Sequence, residues 1–310
     1  MTRQVLATAY GGPEVLTLVE ETLAPPAPNQ AAIEVRAAGV NPADVKMYTG
    51  AFGTDPTRLP LRLGFEAAGV VTEAGSDSGV TVGDEVIAFP VSGAYADRMV
   101  VAGSALVPKP DGMDWGEAAG LMLTGTTAFH ALTATDVKTG DTVLVHGAAG
   151  GVGLMAVQLA AVRGARVIGT ASTRNHDQLR RLGAEPISYG EGLSERVQAL
   201  APDGIDAAID LVGTDEAVDV SLTLVADRHR IASIAAFGRG GEVGIKLLGS
   251  GPGADPGTEV RNAARFELVR LVTEGRLRVF VAERYPLDSV AEAHRQILTG
   301  HTTGKIVLEP

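Results

Sequence analysis

The sequence predicts an α/β protein: a mostly parallel sheet with helices on its faces, and a smaller β-rich module that the chain's last segment completes. Three observations predict it. Short strands and turns fill the chain as far as Trp115. Strands and helices then alternate from Asp141 to about Ile234. A glycine-rich turn joins the first of those later strands to the helix that follows it.

In the first region, Ala31 to Ala37 alternates small or apolar with polar residues and ends at Gly39. Gly69–Glu73 and Asp84–Phe89 read as further strands, bounded by Gly75, Gly83 and Pro90, and Pro25, Pro26 and Pro28 mark a loop. The pattern changes near Trp115, where Glu117–Leu132 carries helical spacing. Thr142–His146 is then a strand, Val152–Arg163 a helix, Arg166–Thr170 a strand, and Asp177–Leu182 a helix stopped by Gly183. Ile205–Asp210 is a strand, Ala217–Leu224 a helix and Arg230–Ile234 a strand. Such a rhythm implies βαβ units.

Beyond Gly257 come a helix Glu259–Glu274, a strand near Val279–Val281, a helix from Asp288 to Leu298, and the strand Lys305–Leu308. This tail is too short to build its own core, so it is expected to pack back on the first module. The expected domains are residues 1–120 with 258–310, and residues 121–257.

Composition removes several functions. The 310 residues include no cysteine, which excludes disulfides, thiolate metal sites and a cysteine nucleophile. A net charge of −11 disfavours nucleic acid or an anionic membrane surface as a partner. No run of about 18 apolar residues occurs, and Met1–Tyr10 lacks a signal-peptide pattern, so a cytoplasmic protein is expected. The six histidines are scattered without metal-ligand spacing, and no metal site is expected.

The strongest motif is Gly147-Ala148-Ala149-Gly150-Gly151-Val152-Gly153, between an apolar strand and a helix. Glycines let the backbone turn tightly and approach a pyrophosphate, while free N–H groups at the helix start face the phosphates. The next strand selects the cofactor. An acid about 20 residues past the glycines would bond a ribose 2′-hydroxyl. Here the chain reads Ser172-Thr173-Arg174 instead, two hydroxyls and a cation that suit a 2′-phosphate. The expected cofactor is NADPH.

With these features in place, nearly the whole chain resembles the medium-chain dehydrogenase/reductases, in their zinc-free quinone oxidoreductase branch, related to alkenal and enone reductases. The markers are Ala38–Lys46, Leu63–Val71, Gly83–Val86, Gly125–Leu132, the glycine loop, Leu182-Gly183-Ala184 and Gly304–Leu308. The resemblance implies a Rossmann-type sheet domain and a GroES-like catalytic domain. Zinc relatives place cysteine at Asn41 and histidine at Phe65, so it also implies metal-free reduction of a quinone or an α,β-unsaturated carbonyl with NADPH. It assigns Asn41 as an amide donor, Lys46 as a cation, Thr127 as a hydroxyl beside the nicotinamide, and Asp44 as a residue orienting Asn41 or Lys46. Tyr189 is carried over to the adenine side. Val212 and Gly213 fall where the dinucleotide crosses the sheet, and Phe237 and Gly238 at the nicotinamide end. A homodimer is implied, paired through Arg230–Phe237. The glycine-rich run Gly249–Gly257 reads as a flexible loop and a candidate lid. Two other functions compete: an enoyl-thioester reductase for carrier-linked substrates, and an NADPH-binding protein with little catalysis.

Overall fold

A computed structural model describes residues 1–310. The chain forms two compact units, Met1–Leu123 with Val279–Pro310, and Thr124–Arg278. The last segment shares a unit with the first 123 residues, and residues 258–278 belong to the second unit. The cause is packing: Leu268, fully buried on the helix Thr258–Thr273, fills the space that the absent side chain of Gly125 leaves open.

The first unit holds two sheets. In the larger, the strands Val281–Pro286, Lys305–Glu309, Gln30–Val40, Ala67–Ala74, Glu85–Ala88 and Leu106–Pro108 lie in that order, and Arg98–Ala102 also pairs with Gln30–Val40. The C-terminal strand closes antiparallel on the long central one, Ile306 opposite Val40 and Leu308 opposite Ala38. Both strands send side chains into one core, where Ile33, Val35, Leu63 and Tyr95 meet Leu287, Val290, Ile306 and Leu308. A smaller three-stranded sheet sets Thr2–Ala7 between Leu16–Glu21 and Leu61–Arg62.

The second unit is built on six parallel strands in the order Ala184–Ile187, Arg166–Thr170, Thr142–His146, Ala207–Asp210, Ile231–Ser233 and Lys246–Leu247. Val143, Leu144 and Val145 are all buried, as expected of a parallel strand covered on both faces. The helix Gly151–Val162 is small and apolar nearly all round and is buried from Gly153 to Ala160. The strand order reverses between Arg166–Thr170 and Ala207–Asp210, both of which flank Thr142–His146, and this switch point is where such sheets bind ligands.

Four local readings change. The helix expected over Glu117–Leu132 is two helices, Trp115–Ala119 and Met122–Ala134, broken where the Gly120 N–H turns back to Gly116 and Glu117. The segment around Asp44, to which the sequence reading assigns no element, is a helix, Pro42–Tyr48. The run Gly249–Gly257 is anchored: Leu248 and Asp255 form a bridge, and the Gly249 N–H donates to the Asp255 carbonyl at 2.8 Å. The strand expected to pair across a dimer, Ile231–Ser233, has both edges taken, by Ala207–Asp210 and by Lys246–Leu247.

Candidate active site

The glycine turn is stitched to the neighbouring strand. Thr170 accepts from the Gly147 N–H through its hydroxyl at 3.1 Å, and from the Ala148 N–H through its carbonyl at 3.0 Å. Gly147 has φ +76°, a left-handed backbone that glycine adopts without strain. Gly153 packs so tightly on the Gly147 carbonyl and the Ala148 backbone that any side chain would overlap them. Ala148, Ala149 and Gly153 are buried packing residues, while Gly147, Gly150, Gly151 and Val152 keep some exposure. Gly150 caps the helix Gly151–Val162 without a side-chain acceptor. The first-turn N–H groups are thereby left for a phosphate. These residues fit a dinucleotide.

Around the turn the structure gathers the other expected cofactor residues of this unit. The Ser172 hydroxyl lies 3.1 Å from the Tyr189 phenol, and Thr173 Oγ1 lies 3.4 Å from Ser188 Oγ. Tyr189 is exposed, two residues past the strand Ala184–Ile187. Arg174 sits in the same short turn, Thr173–Asn175. On the other side, a methyl of Val212 stands 2.7 Å from where a Gly147 side chain would begin. Gly213, φ +83°, abuts Ala235, close along the chain to Phe237 and Gly238.

One buried carboxylate organises that second side. Asp210, at the end of Ala207–Asp210, accepts from the Val212 and Gly213 N–H groups, both at 2.9 Å, and from the Ser233 hydroxyl at 2.6 Å. Ser233 Oγ in turn accepts from the N–H groups of Ala235 and Ala236. Asp210 therefore shapes both turns at the sheet's carboxyl edge. Its only sequence signal is an acid closing an apolar strand. His146 next door is buried and bonds Ser221 at 3.1 Å; burial pushes its pKa down, against the opposing pull of Asp210.

Thr127 lies on the helix Met122–Ala134, half-buried, and its hydroxyl accepts from Arg261 Nη2 at 2.6 Å.

In the first unit, Asn41, Asp44 and Lys46 share the helix Pro42–Tyr48 or its cap. Asn41 does not act as an outward donor. It is 1% exposed, and its amide donates to the Gly39 carbonyl at 3.2 Å and to Glu66 Oε1 at 3.1 Å. Its carbonyl oxygen accepts from Lys305 Nζ at 2.6 Å. Lys305 also donates to Glu66 Oε1 at 2.9 Å and to the Val40 carbonyl at 3.1 Å. The second oxygen of Glu66 accepts from the Leu123 N–H at 2.8 Å, at the start of Met122–Ala134. A buried ammonium and carboxylate thus hold Asn41 from both ends, because neither charge has water to turn to.

Asp44 accepts from the Asn41 N–H and from the Gly64 N–H, each at 2.9 Å. Burial raises its pKa to about 7, opposed by hydrogen bonds from Tyr95, Gly64 and Asn41 and by the Lys305 charge. Tyr95 continues the network to His294 Nε2 at 3.2 Å, and His294 Nδ1 lies 2.8 Å from the Tyr48 phenol. Burial pushes His294 down to about 4, so it is neutral at pH 7. Tyr48 is fully buried here and serves the core. Lys46 is half-buried in the last turn of its helix.

Glu66, Lys305, Asp210 and Ser233 carry much of this geometry and were not singled out by sequence. Their charges or hydroxyls stand alone in apolar runs, and their partners lie far along the chain. No helix is long and apolar enough to cross a membrane, and no group of three or more His, Asp or Glu side chains is gathered as a metal ion would need.

Two family models match: the alcohol dehydrogenase GroES-like domain over residues 27–111, and zinc-binding dehydrogenase over residues 182–308. The chain is 36% identical to a quinone oxidoreductase of Pseudomonas aeruginosa, with 100% of both chains covered. It is 30% identical to human quinone oxidoreductase over 99% of this chain and 97% of that one. The Escherichia coli quinone oxidoreductase solved in complex with NADPH superposes with a TM-score of 0.85, at 29% identity over 100% of both chains.

Proposed function

We infer the function from kinship and geometry together: the chain belongs to the medium-chain dehydrogenase/reductase superfamily, quinone oxidoreductase type, and we propose that it reduces quinones with NADPH. The observation that carries the cofactor is the glycine cradle at the switch point, flanked by Ser172, Thr173 and Arg174 with no acid among them. NADPH, when bound, supplies the hydride. Gly147, Gly150, Gly151 and Val152 would hold its pyrophosphate. Ser172, Thr173 and Arg174 would take the 2′-phosphate, and Tyr189 the adenine side. Val212, Gly213, Phe237 and Gly238, in turns shaped by Asp210 and Ser233, would hold the nicotinamide half.

Negative charge appears on the quinone oxygen as hydride arrives, and donors aimed at that oxygen lower the barrier. Thr127 fills this role in the proposal; Lys46 is the cation that the first unit offers, and Asn41 and Asp44 act as positioning residues for the helix that carries it. Solvent water supplies the proton. The Asn-Pro-x-Asp-x-Lys spacing ending at Lys46 is the one feature favouring an enone or enal acceptor, so both acceptor classes are assayed.

The proposal includes zinc independence. A lysine ammonium, not a metal, meets the oxygens of Asn41 and Glu66, and Asn41 and Phe65 offer neither thiolate nor imidazole. Activity unchanged by a strong chelator is the expected result. We also propose a homodimer, formed through the edge strand Lys246–Leu247, and a cytoplasmic location. Light scattering giving the monomer mass of 31.9 kDa would overturn the dimer. Activity pelleting with membranes would overturn the location.

A further inference from the structure

We propose that Arg261 is a positioning residue for Thr127, and that a two-point clamp between the helix Met122–Ala134 and the segment Asp255–Arg261 holds it there. The inference rests on the reading that places Thr127 beside the reacting groups. Arg261, in the first turn of the helix Thr258–Thr273, donates through Nη2 to Thr127 Oγ1 at 2.6 Å. Three residues further along Met122–Ala134, on the same helix face, His130 lies with Nε2 3.2 Å from Asp255 Oδ2. The other Asp255 oxygen accepts from the Gly257 N–H at 2.8 Å.

Gly257, φ +58°, caps the helix that carries Arg261 and presses on the His130 imidazole so closely that any side chain would overlap the ring. The helix start is therefore fixed to Met122–Ala134 at two places one turn apart. Toward the far end of the same loop, Gly251 packs so close to the Phe237 ring that a side chain there would overlap it. The segment read from sequence as a free lid is a strap that sets where Arg261 points.

The chemistry follows from the donor. A threonine hydroxyl rotates, carrying one hydrogen and two lone pairs. A guanidinium bonded to its oxygen forbids every rotamer that turns the hydrogen toward Arg261. The adjacent positive charge also makes the hydroxyl a stronger donor to an oxygen gaining negative charge. Arg261 acts through Thr127, not on the acceptor.

A double-mutant cycle in the full-length protein tests this. Arg261→Ala is expected to lower kcat about tenfold, with the NADPH Kd changed by less than about threefold, and Arg261→Lys to restore part of the loss. In a Thr127→Val background, Arg261→Ala should have no further effect on kcat. Asp255→Ala should lower kcat by a smaller factor, again only when Thr127 is present. An equal loss from Arg261→Ala in both backgrounds, or no loss in either, overturns the proposal. Thr127→Val with an unchanged kcat would instead remove Thr127 from the site and the proposal with it. Melting temperatures of each variant separate a folding defect, which would persist in both backgrounds, from this coupling.

Discussion

Replacing Lys305 by methionine keeps the side chain's length and removes its charge from a place that has no water. The ammonium is bonded to Glu66 Oε1 at 2.9 Å, Asn41 Oδ1 at 2.6 Å and the Val40 carbonyl at 3.1 Å, and the two ion-pair side chains are 4% and 0% exposed. Removing one member of a buried pair costs about 3–5 kcal/mol, because the other charge stays buried without its counterpart. Against a domain stability of about 5–15 kcal/mol, that loss is large. Trp115, the single tryptophan, lies in the first unit, so its fluorescence follows unfolding of that unit. With a urea dependence of about 1–3 kcal/mol per molar, the midpoint should fall by about 1–5 M. Adding Glu66→Gln to Lys305→Met removes the orphaned charge and should recover part of that fall. A single variant whose midpoint matches the parent, or a double variant worse than the single, would refute the view that this pair holds the first unit together.

Three further outcomes follow from the same geometry. Gly153→Val forces a side chain into the Gly147 carbonyl, so NADPH binding, read by its fluorescence, should weaken by about 100-fold or more while the Trp115 urea midpoint stays put. Arg174→Ala removes a charge-assisted contact worth about 1.5–3 kcal/mol, so the NADPH-over-NADH preference in kcat/KM should drop by about 10–100-fold. Asp44, with its folded pKa at about 7, stays neutral in the fold at a pH where it is ionised in the unfolded chain. Its stabilisation is therefore full below about pH 4 and is lost at about 1.4 kcal/mol per pH unit as pH rises toward 7. The urea midpoint of the parent relative to Asp44→Asn should fall over that range, and a difference independent of pH would contradict the burial argument.

Long-period features were legible in the sequence and pairwise ones were not. The apolar run Val143–Val145, the glycine turn and the helix after it announce a parallel sheet with a phosphate cradle, because each is a local consequence of burial on both faces. The helix Pro42–Tyr48 was missed: Asn41 as cap, proline at its first position and Asp44 at its third are helix-start signals, but seven residues are too few for periodicity to speak. The helix Phe237–Val243 was missed as well, since it holds three glycines, each costing about 1 kcal/mol in a helix. Packing overrides that cost: Gly240 sits where a side chain would strike Leu247 and Ile245. Asn41 was misread for the same reason that Glu66 and Lys305 were passed over. Its environment is set by a lysine 264 positions away, which no local pattern reveals.

The central claim is tested most directly by NADPH consumption with the purified protein. A benzoquinone, a short 2-alkenal and a saturated aldehyde serve as acceptors, and NADH as the parallel donor. Rapid turnover with the quinone, NADPH preferred and the saturated aldehyde inert, is the expected result. Turnover with the alkenal alone would move the acceptor to the enone class. Tight NADPH binding with no turnover of any acceptor would contradict the account and leave a cofactor-binding protein or a carrier-linked reductase in its place.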